Sequence, residues 1–326
     1  MQNEQLSLEW KQLADLPDVE GFAGSYAGVS NGALIVCGGA NFPEKPLWEG
    51  GPKRWTDRIY VLPSSDGWKD ASPLPKPLGY GATATLPQGV MLIGGSNADG
   101  AVADCYMLTW DGSDVQCKAV APLPTTLTGH AAAVMGGKVY VQGGSVAPGE
   151  QDAEARMWVY DPETDTWSDG EPMPCRGRFL QQMATIGHTI YVLGGIGLQP
   201  GDEGRMAREM LTDAWSWSSE TGWRRLAHLP HYCGAAPTPA PVIGGRIYLL
   251  GGDDATVKGY TPQNHPGFHN QSLCYCPGSD TWYDAGEIAV ARAVLPCAVW
   301  NGMAVIVNGE QRPGKRSNQV WGAKMK

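Results

Sequence analysis

The feature that most constrains this chain is a short apolar run stopped by paired glycines, because it occurs six times. The run GALIVCGG ends at Gly39, and it returns as GVMLIGG at Gly95, KVYVQGG at Gly144, TIYVLGG at Gly195, RIYLLGG at Gly252 and, altered, MAVIVNG at Gly309. A Val-, Ile-, Leu- and Tyr-rich run with a turn before it and Gly-Gly after it predicts a buried strand. A second phrase follows each glycine pair: an aromatic residue and a spacer closing on Leu-Pro or its equivalent. It starts at Trp10, Trp68, Trp167 and Trp223, with Cys117 in place of the tryptophan once and Trp282 in a copy that lacks the proline. Two further strand-like runs per repeat, such as RIYVL at 58–62 and GATATL at 81–86, bring the count to four strands. Short strands repeated at a spacing of about fifty residues predict a single closed all-β domain over 1–326.

Composition agrees and excludes some functions. The 44 glycines, 25 prolines and only four phenylalanines suit many strands joined by tight turns, and helix-period stripes are hard to find. A net charge of −9 with no basic run leaves nothing to neutralise phosphates, so no nucleic-acid partner is expected. No apolar run reaches membrane-spanning length, and Met1 is followed by Gln-Asn-Glu-Gln, not by a basic and apolar leader; no membrane partner and a cytoplasmic location are the expectation, periplasmic if the mature start is the one given. The eight cysteines include no CxxC, and Cys274 and Cys276 alternate across a strand, so they are read as ordinary thiols. His265 and His269 have HxxxH spacing, but Pro266 and Gly267 prevent the helix that would align their rings, and no metal is expected.

Six four-stranded units of this kind resemble the kelch motif, which implies a six-bladed β-propeller with the first strand of each blade lining a central channel. The last repeat has only three strands, ending at Gln319-Val-Trp321-Gly-Ala, while Leu6 to Pro17 supplies an orphan fourth-strand phrase. The N-terminal strand is therefore expected to complete the last blade and close the ring. Alternation of strand direction then puts the loops after the glycine pairs on one face, and these are long: 40–57, 145–156, 196–213 and 253–271.

The sixth repeat breaks the glycine rule and places a carboxylate, Glu310, where its strand emerges on that face, within Asn308-Gly-Glu-Gln-Arg-Pro-Gly-Lys-Arg316. Such a carboxylate can serve as an acid-base group or as a loop charge paired with Arg312 or Lys315. The string resembles the NGE-x-K-P-G-x-R loop of the bacterial N-acetylneuraminate epimerases, the sialic acid mutarotases. Two other stretches are similar to theirs: EGFAGSYAGVSNGALIVCGGANF in the first repeat and GRFLQQMATIGHTIYVLGGIG in the fourth. In that family the NGE blade precedes the GFAG blade, so this chain resembles a cyclically permuted mutarotase. The resemblance implies an isomerase that interconverts the anomers of N-acetylneuraminate without a cofactor, with Glu310 as proton acceptor and Arg316 as its companion, and it suggests a homodimer.

A sugar acid also asks for a planar two-donor clamp on its carboxylate, for which arginine is suited. Arg316, Arg178, Arg292 and Arg312 are the substrate-binding candidates, each with a structural role as the alternative. Trp48, Trp55 and Tyr80 are candidates for an aromatic wall, and His130 for a channel-facing or a packing position. Two other functions fit the fold: a non-catalytic kelch module that binds another protein, and a copper oxidase of the galactose oxidase type, for which neither the ligand cluster nor a secretion signal is found.

Overall fold

The computed structural model describes residues 6–64, 67–147, 152–202 and 205–325. Parts of two of the long loops, 148–151 and 203–204, lie outside the described residues. Six antiparallel four-stranded sheets are arranged around a channel as a β-propeller. Blade one is Tyr26–Ser30, Ala33–Cys37, Ile59–Leu62 and Lys69–Ala71; the repeat continues to blade five, Val242–Ile243, Arg246–Gly252, His269–Cys276 and Thr281–Glu287. Blade six takes Cys297–Trp300, Met303–Val307 and Val320–Met325 from the end of the chain and Leu8–Gln12 from its start, with Leu8 opposite Met325 and Gln12 opposite Trp321. The ring therefore closes within one sheet, as the orphan phrase implied.

The second strand of each blade is buried on both faces, Ala33–Cys37 completely so, because neighbouring blades pack against each side. That is why these strands are unbroken apolar runs and not alternating ones. The glycine pairs that end them bond to the following blade: Gly39 N–H donates to the Leu78 carbonyl (2.8 Å), Gly95 to Leu127 (2.7 Å), and Gly309, across the closure, to Phe22 (2.8 Å). Both residues of each pair have positive φ, near 52–72° at the first and 95–113° at the second. Asn308, at φ 62°, holds the first position in blade six because asparagine tolerates the left-handed region; the second position stays glycine throughout.

The aromatic of the second phrase also has a defined duty. The indole N–H groups of Trp68, Trp167, Trp223 and Trp282 donate to the carbonyls of Ala14, Ala121, Glu171 and Ala227 at 2.8–3.0 Å. Each acceptor lies four residues after the corresponding aromatic, or Cys117, of the preceding blade. Blade to blade, the phrase bonds to its own copy.

Nearer the axis, Gly24, Tyr80, Gly129, Leu180, Ala235 and Val294 occupy equivalent positions, each with φ of 52–66°. They form a closed ring of backbone hydrogen bonds: Tyr80 N–H to the Gly24 carbonyl (2.7 Å), Gly129 to Tyr80, Leu180 to Gly129, Ala235 to Leu180, Val294 to Ala235 and Gly24 back to Val294. Here the channel narrows to a cavity of about 40 Å³.

Candidate active site

Glu310 takes its position from the turn that precedes it. Its backbone pairs with Ala293 in both directions (2.8 and 3.0 Å), the bridge that Ala40, Ser96, Ser145, Ile196 and Asp253 make in the other blades. Past that point Glu310–Arg312 pairs with Lys315–Arg316 as a small hairpin turning at Gly314, which sets Glu310 opposite Arg316. The two side chains form an ion pair, and Glu310 Oε1 also accepts the Gly314 N–H (3.2 Å). The loop-charge reading named Arg312 or Lys315 as partner; the partner is Arg316. Arg316 is itself buried, donating from Nε to the Ala40 carbonyl (3.1 Å) and stacking its guanidinium 5.0 Å from the Phe42 ring centre. A buried guanidinium held at both ends keeps the half-buried carboxylate in one orientation.

The pair opens on a cavity of about 710 Å³ at the loop-rich mouth, also lined by Phe42, Lys53, Trp55, Tyr80 and Arg208. Its size is that of a small-molecule site. Tyr80 belongs to the ring of left-handed residues, and at Tyr80, Gly129, Leu180 and Val294 the mouth cavity adjoins the smaller channel cavity. Lys53 lies with its ammonium 3.9 Å from the Tyr80 ring centre and 4.6 Å from that of Trp55. Burial, and after it the Arg316 charge, lower its pKa to about 8, while Glu310 acts in the opposite sense. Burial pushes the Tyr80 hydroxyl up to about 12. The mouth thus holds a fixed carboxylate and an ammonium whose pKa lies close to neutrality.

The remaining sequence candidates are distributed otherwise. Arg178 and Arg292, two residues before Leu180 and Val294, are 0% and 1% exposed, at positions where other blades carry Phe22, Leu78, Leu127 and Cys233. Arg178 Nη1 donates to the Gly194 carbonyl (2.9 Å) and the guanidinium grips Asp213 (2.7 and 3.0 Å). Arg292 donates to the Asn308 carbonyl (2.8 Å) and to Gln319. Both arginines brace glycine turns from within, and neither lines the mouth cavity. Arg312 sits 5.5 Å from the Trp48 ring in a smaller groove that adjoins the cavity at Phe42 and Arg316. His130 is buried, lines the narrow channel cavity and donates from Nε2 to the Ile93 carbonyl (3.0 Å), so it is channel-facing and packed at once. Sequence reasoning passed over Lys53 and Arg208. Both lie in long mouth loops, the one available signal, but nothing in GGPKRWTD separates Lys53 from Arg54, which is exposed and bonds Glu44.

The first part of the chain is similar to proteins of known family. Residues 1–117 match the family model of N-acetylneuraminate epimerase. The chain resembles the kelch-repeat N-acetylneuraminate epimerases. Residues 126–174 match the Kelch motif. The N-acetylneuraminate epimerase of Brucella suis is 37% identical over 119 residues, covering 32% of this chain and 30% of that protein. The N-acetylneuraminate epimerase of Vibrio cholerae is 37% identical over 124 residues, covering 33% and 32%. The matched stretch thus spans about a third of the length of these curated relatives. The solved structure of YjhT superposes with a TM-score of 0.71 at 17% identity over 94% of this chain and 95% of that one, which shows a shared propeller fold. Lys53, Trp55 and Tyr80 lie inside the stretch that matches the epimerase family; Glu310 and Arg316 lie beyond it.

Proposed function

We propose that this protein is a mutarotase acting on N-acetylneuraminate, or a closely related sugar acid, at the mouth of the propeller. The observation that carries the reading is the Glu310–Arg316 pair opening on a cavity that also holds Lys53. Interconversion of anomers needs one group to take the proton of the anomeric hydroxyl and another to protonate the ring oxygen. Glu310 accepts the hydroxyl proton. The C2–ring-oxygen bond breaks as the ring oxygen takes a proton from the Lys53 ammonium, leaving the open-chain ketone. Rotation about the bond to C2 and reclosure on the other face, with both protons returned, gives the second anomer. Nothing is oxidised or reduced, and no cofactor enters the balance. Arg316, with Arg312 and Arg208 nearby, gives the mouth the cationic character that a substrate carboxylate requires. Trp55 and Tyr80 offer apolar faces to the sugar.

The test is proton NMR of N-acetylneuraminate anomers freshly released by a sialidase, with and without the protein. A faster approach to the same equilibrium supports the reading. Glu310→Gln should lower that acceleration by about 10²–10⁴-fold with the propeller intact by circular dichroism, because the near-isosteric amide takes no proton; full activity in this variant removes the proposed base. Absence of any acceleration by the wild type returns the protein to the protein-binding alternative.

A further inference from the structure

On the same face as the mouth, out on blade five, three metal-ligating side chains from two segments meet. His231 and Cys233 lie on the crossover from blade four to blade five, just before Ala235 of the left-handed ring. His269 opens the strand that follows the long loop at 253–268. Their ligand atoms all lie within 4.8 Å of one another. Cys233 Sγ is 3.7 Å from His231 Nδ1, and the two imidazoles stand edge to face with centres 5.1 Å apart. Cys233 is fully buried, and both ring nitrogens of His269 are buried without a hydrogen-bond partner. Orphaned buried polar atoms are costly, and a pair of them on one imidazole calls for a ligand.

We propose that His231, Cys233 and His269 bind a divalent cation of the zinc type, with the fourth position taken by Asp254 or by water. Two imidazoles and a thiolate suit a borderline-soft ion that prefers nitrogen and sulfur. With bonds of about 2.0–2.3 Å, the ligand atoms of a tetrahedral site stand roughly 3.3–3.8 Å apart, so the trio contracts by about 1 Å through small rotations of the two rings. Asp254 follows Asp253, whose backbone pairs with Gly234 beside Cys233, and its Oδ1 accepts from Thr256 (2.7 and 3.0 Å). With Asp254 as fourth ligand the thiolate and carboxylate balance the ion's two charges; with water the site keeps one positive charge. Each imidazole ligates through a ring nitrogen, and the thiol proton of Cys233 leaves to solvent as the sulfur–metal bond forms.

The sequence sets the His265–His269 pair aside as a metal site, and the His265 ring indeed accepts the Gly267 N–H at Nδ1 (3.1 Å) and packs on Tyr260 and Phe268. His269 instead meets His231, 38 positions earlier, a pairing set by blade packing. The cation would pin the base of the 253–268 loop to the blade crossover. The middle of that loop, Pro262–Asn264, touches the turn Leu47–Glu49, and Gly267 lies against the Gln311 carbonyl next to the Glu310 hairpin. The site therefore anchors a loop that packs against the Leu47–Glu49 turn and the Glu310 hairpin, outside the cavity lining itself.

The experiment titrates the reduced, chelator-treated full chain with cobalt(II) and follows absorption, with zinc as competitor. The expected result is a single equivalent bound, with a thiolate-to-cobalt charge-transfer band and tetrahedral d–d bands that zinc abolishes. His231→Ala and His269→Ala, folded by circular dichroism, should lose the bands and about 100-fold or more in affinity. Absence of a charge-transfer band in the wild type, or bands and affinity unchanged in both histidine variants, overturns the proposal.

Discussion

Lys53 is the residue on which the pH behaviour of the mouth turns. Its pKa of about 8, against 10.5 for a free lysine, means that the ammonium is lost in the folded protein while the unfolded chain still holds it. In the proposed mechanism it is the acid for the ring oxygen, which predicts an acceleration that falls as pH rises through about 8. Lys53→Arg should remove that limb from the rate profile, because a guanidinium does not titrate there. An unchanged limb in Lys53→Arg would assign the proton to another group. The stability consequence has a fixed sign. Between about pH 8 and 10.5 the unfolded state binds more protons, so this lysine makes the fold more stable as pH rises through that window and less stable below it. Lys53→Met should therefore raise the melting temperature at pH 7 more than at pH 10.

At the scale of the element, the ring of left-handed residues is the device that positions everything above it. Glycine fills two of its six positions, yet Tyr80, Leu180, Ala235 and Val294 fill the rest, although left-handed backbone costs an ordinary residue about 1–2 kcal/mol. The interblade hydrogen bonds over-determine the conformation, and Tyr80 uses the outward-pointing position to reach the mouth. Ala235→Gly tests this. Relief of the left-handed strain should offset the lost methyl and the added chain entropy, leaving stability within about 0.5 kcal/mol of wild type. Ala184→Gly, on a regular and equally buried strand, should lose about 1–2 kcal/mol. Denaturant melts of the two variants compare them directly, and equal losses would mean that the ring is unstrained.

Across the whole molecule, closure depends on a strand of five residues. Leu8–Gln12 covers the edge of Val320–Met325, and the segment after it is tied in by Leu13 N–H to the Val320 carbonyl (2.9 Å), Leu16 N–H to the Asn318 carbonyl (2.8 Å) and the Trp68 indole to the Ala14 carbonyl (2.8 Å). Removing residues 1–13 should expose that sheet edge, lower the melting temperature and promote association through the open strand, which thermal melting and light scattering would report. A truncated chain that melts as the full one does would show that the ring closes without the strand. No described helix is long and apolar enough to cross a membrane.

The fold was legible in the sequence because each blade carries its own copy of the instructions. Glycine pairs, the aromatic phrase with its spacer and the orphan N-terminal phrase are all local or repeating, and short apolar runs between breakers can be read without the third dimension. Glu310 was visible for the same reason, as the place where one copy departs from the others. What only the tertiary structure decided are the relations between copies. Arg178 and Arg292 look like mouth residues in the chain, but the packing of one blade on the next encloses them, and a buried guanidinium must spend its donors on carbonyls and on Asp213 or Gln319. Lys53 acquires its character from Tyr80, Arg316 and Glu310, and His269 its company from His231 and Cys233, all distant in sequence. Chemistry at these sites is set by desolvation and by neighbouring charge, which arise only once the ring is closed.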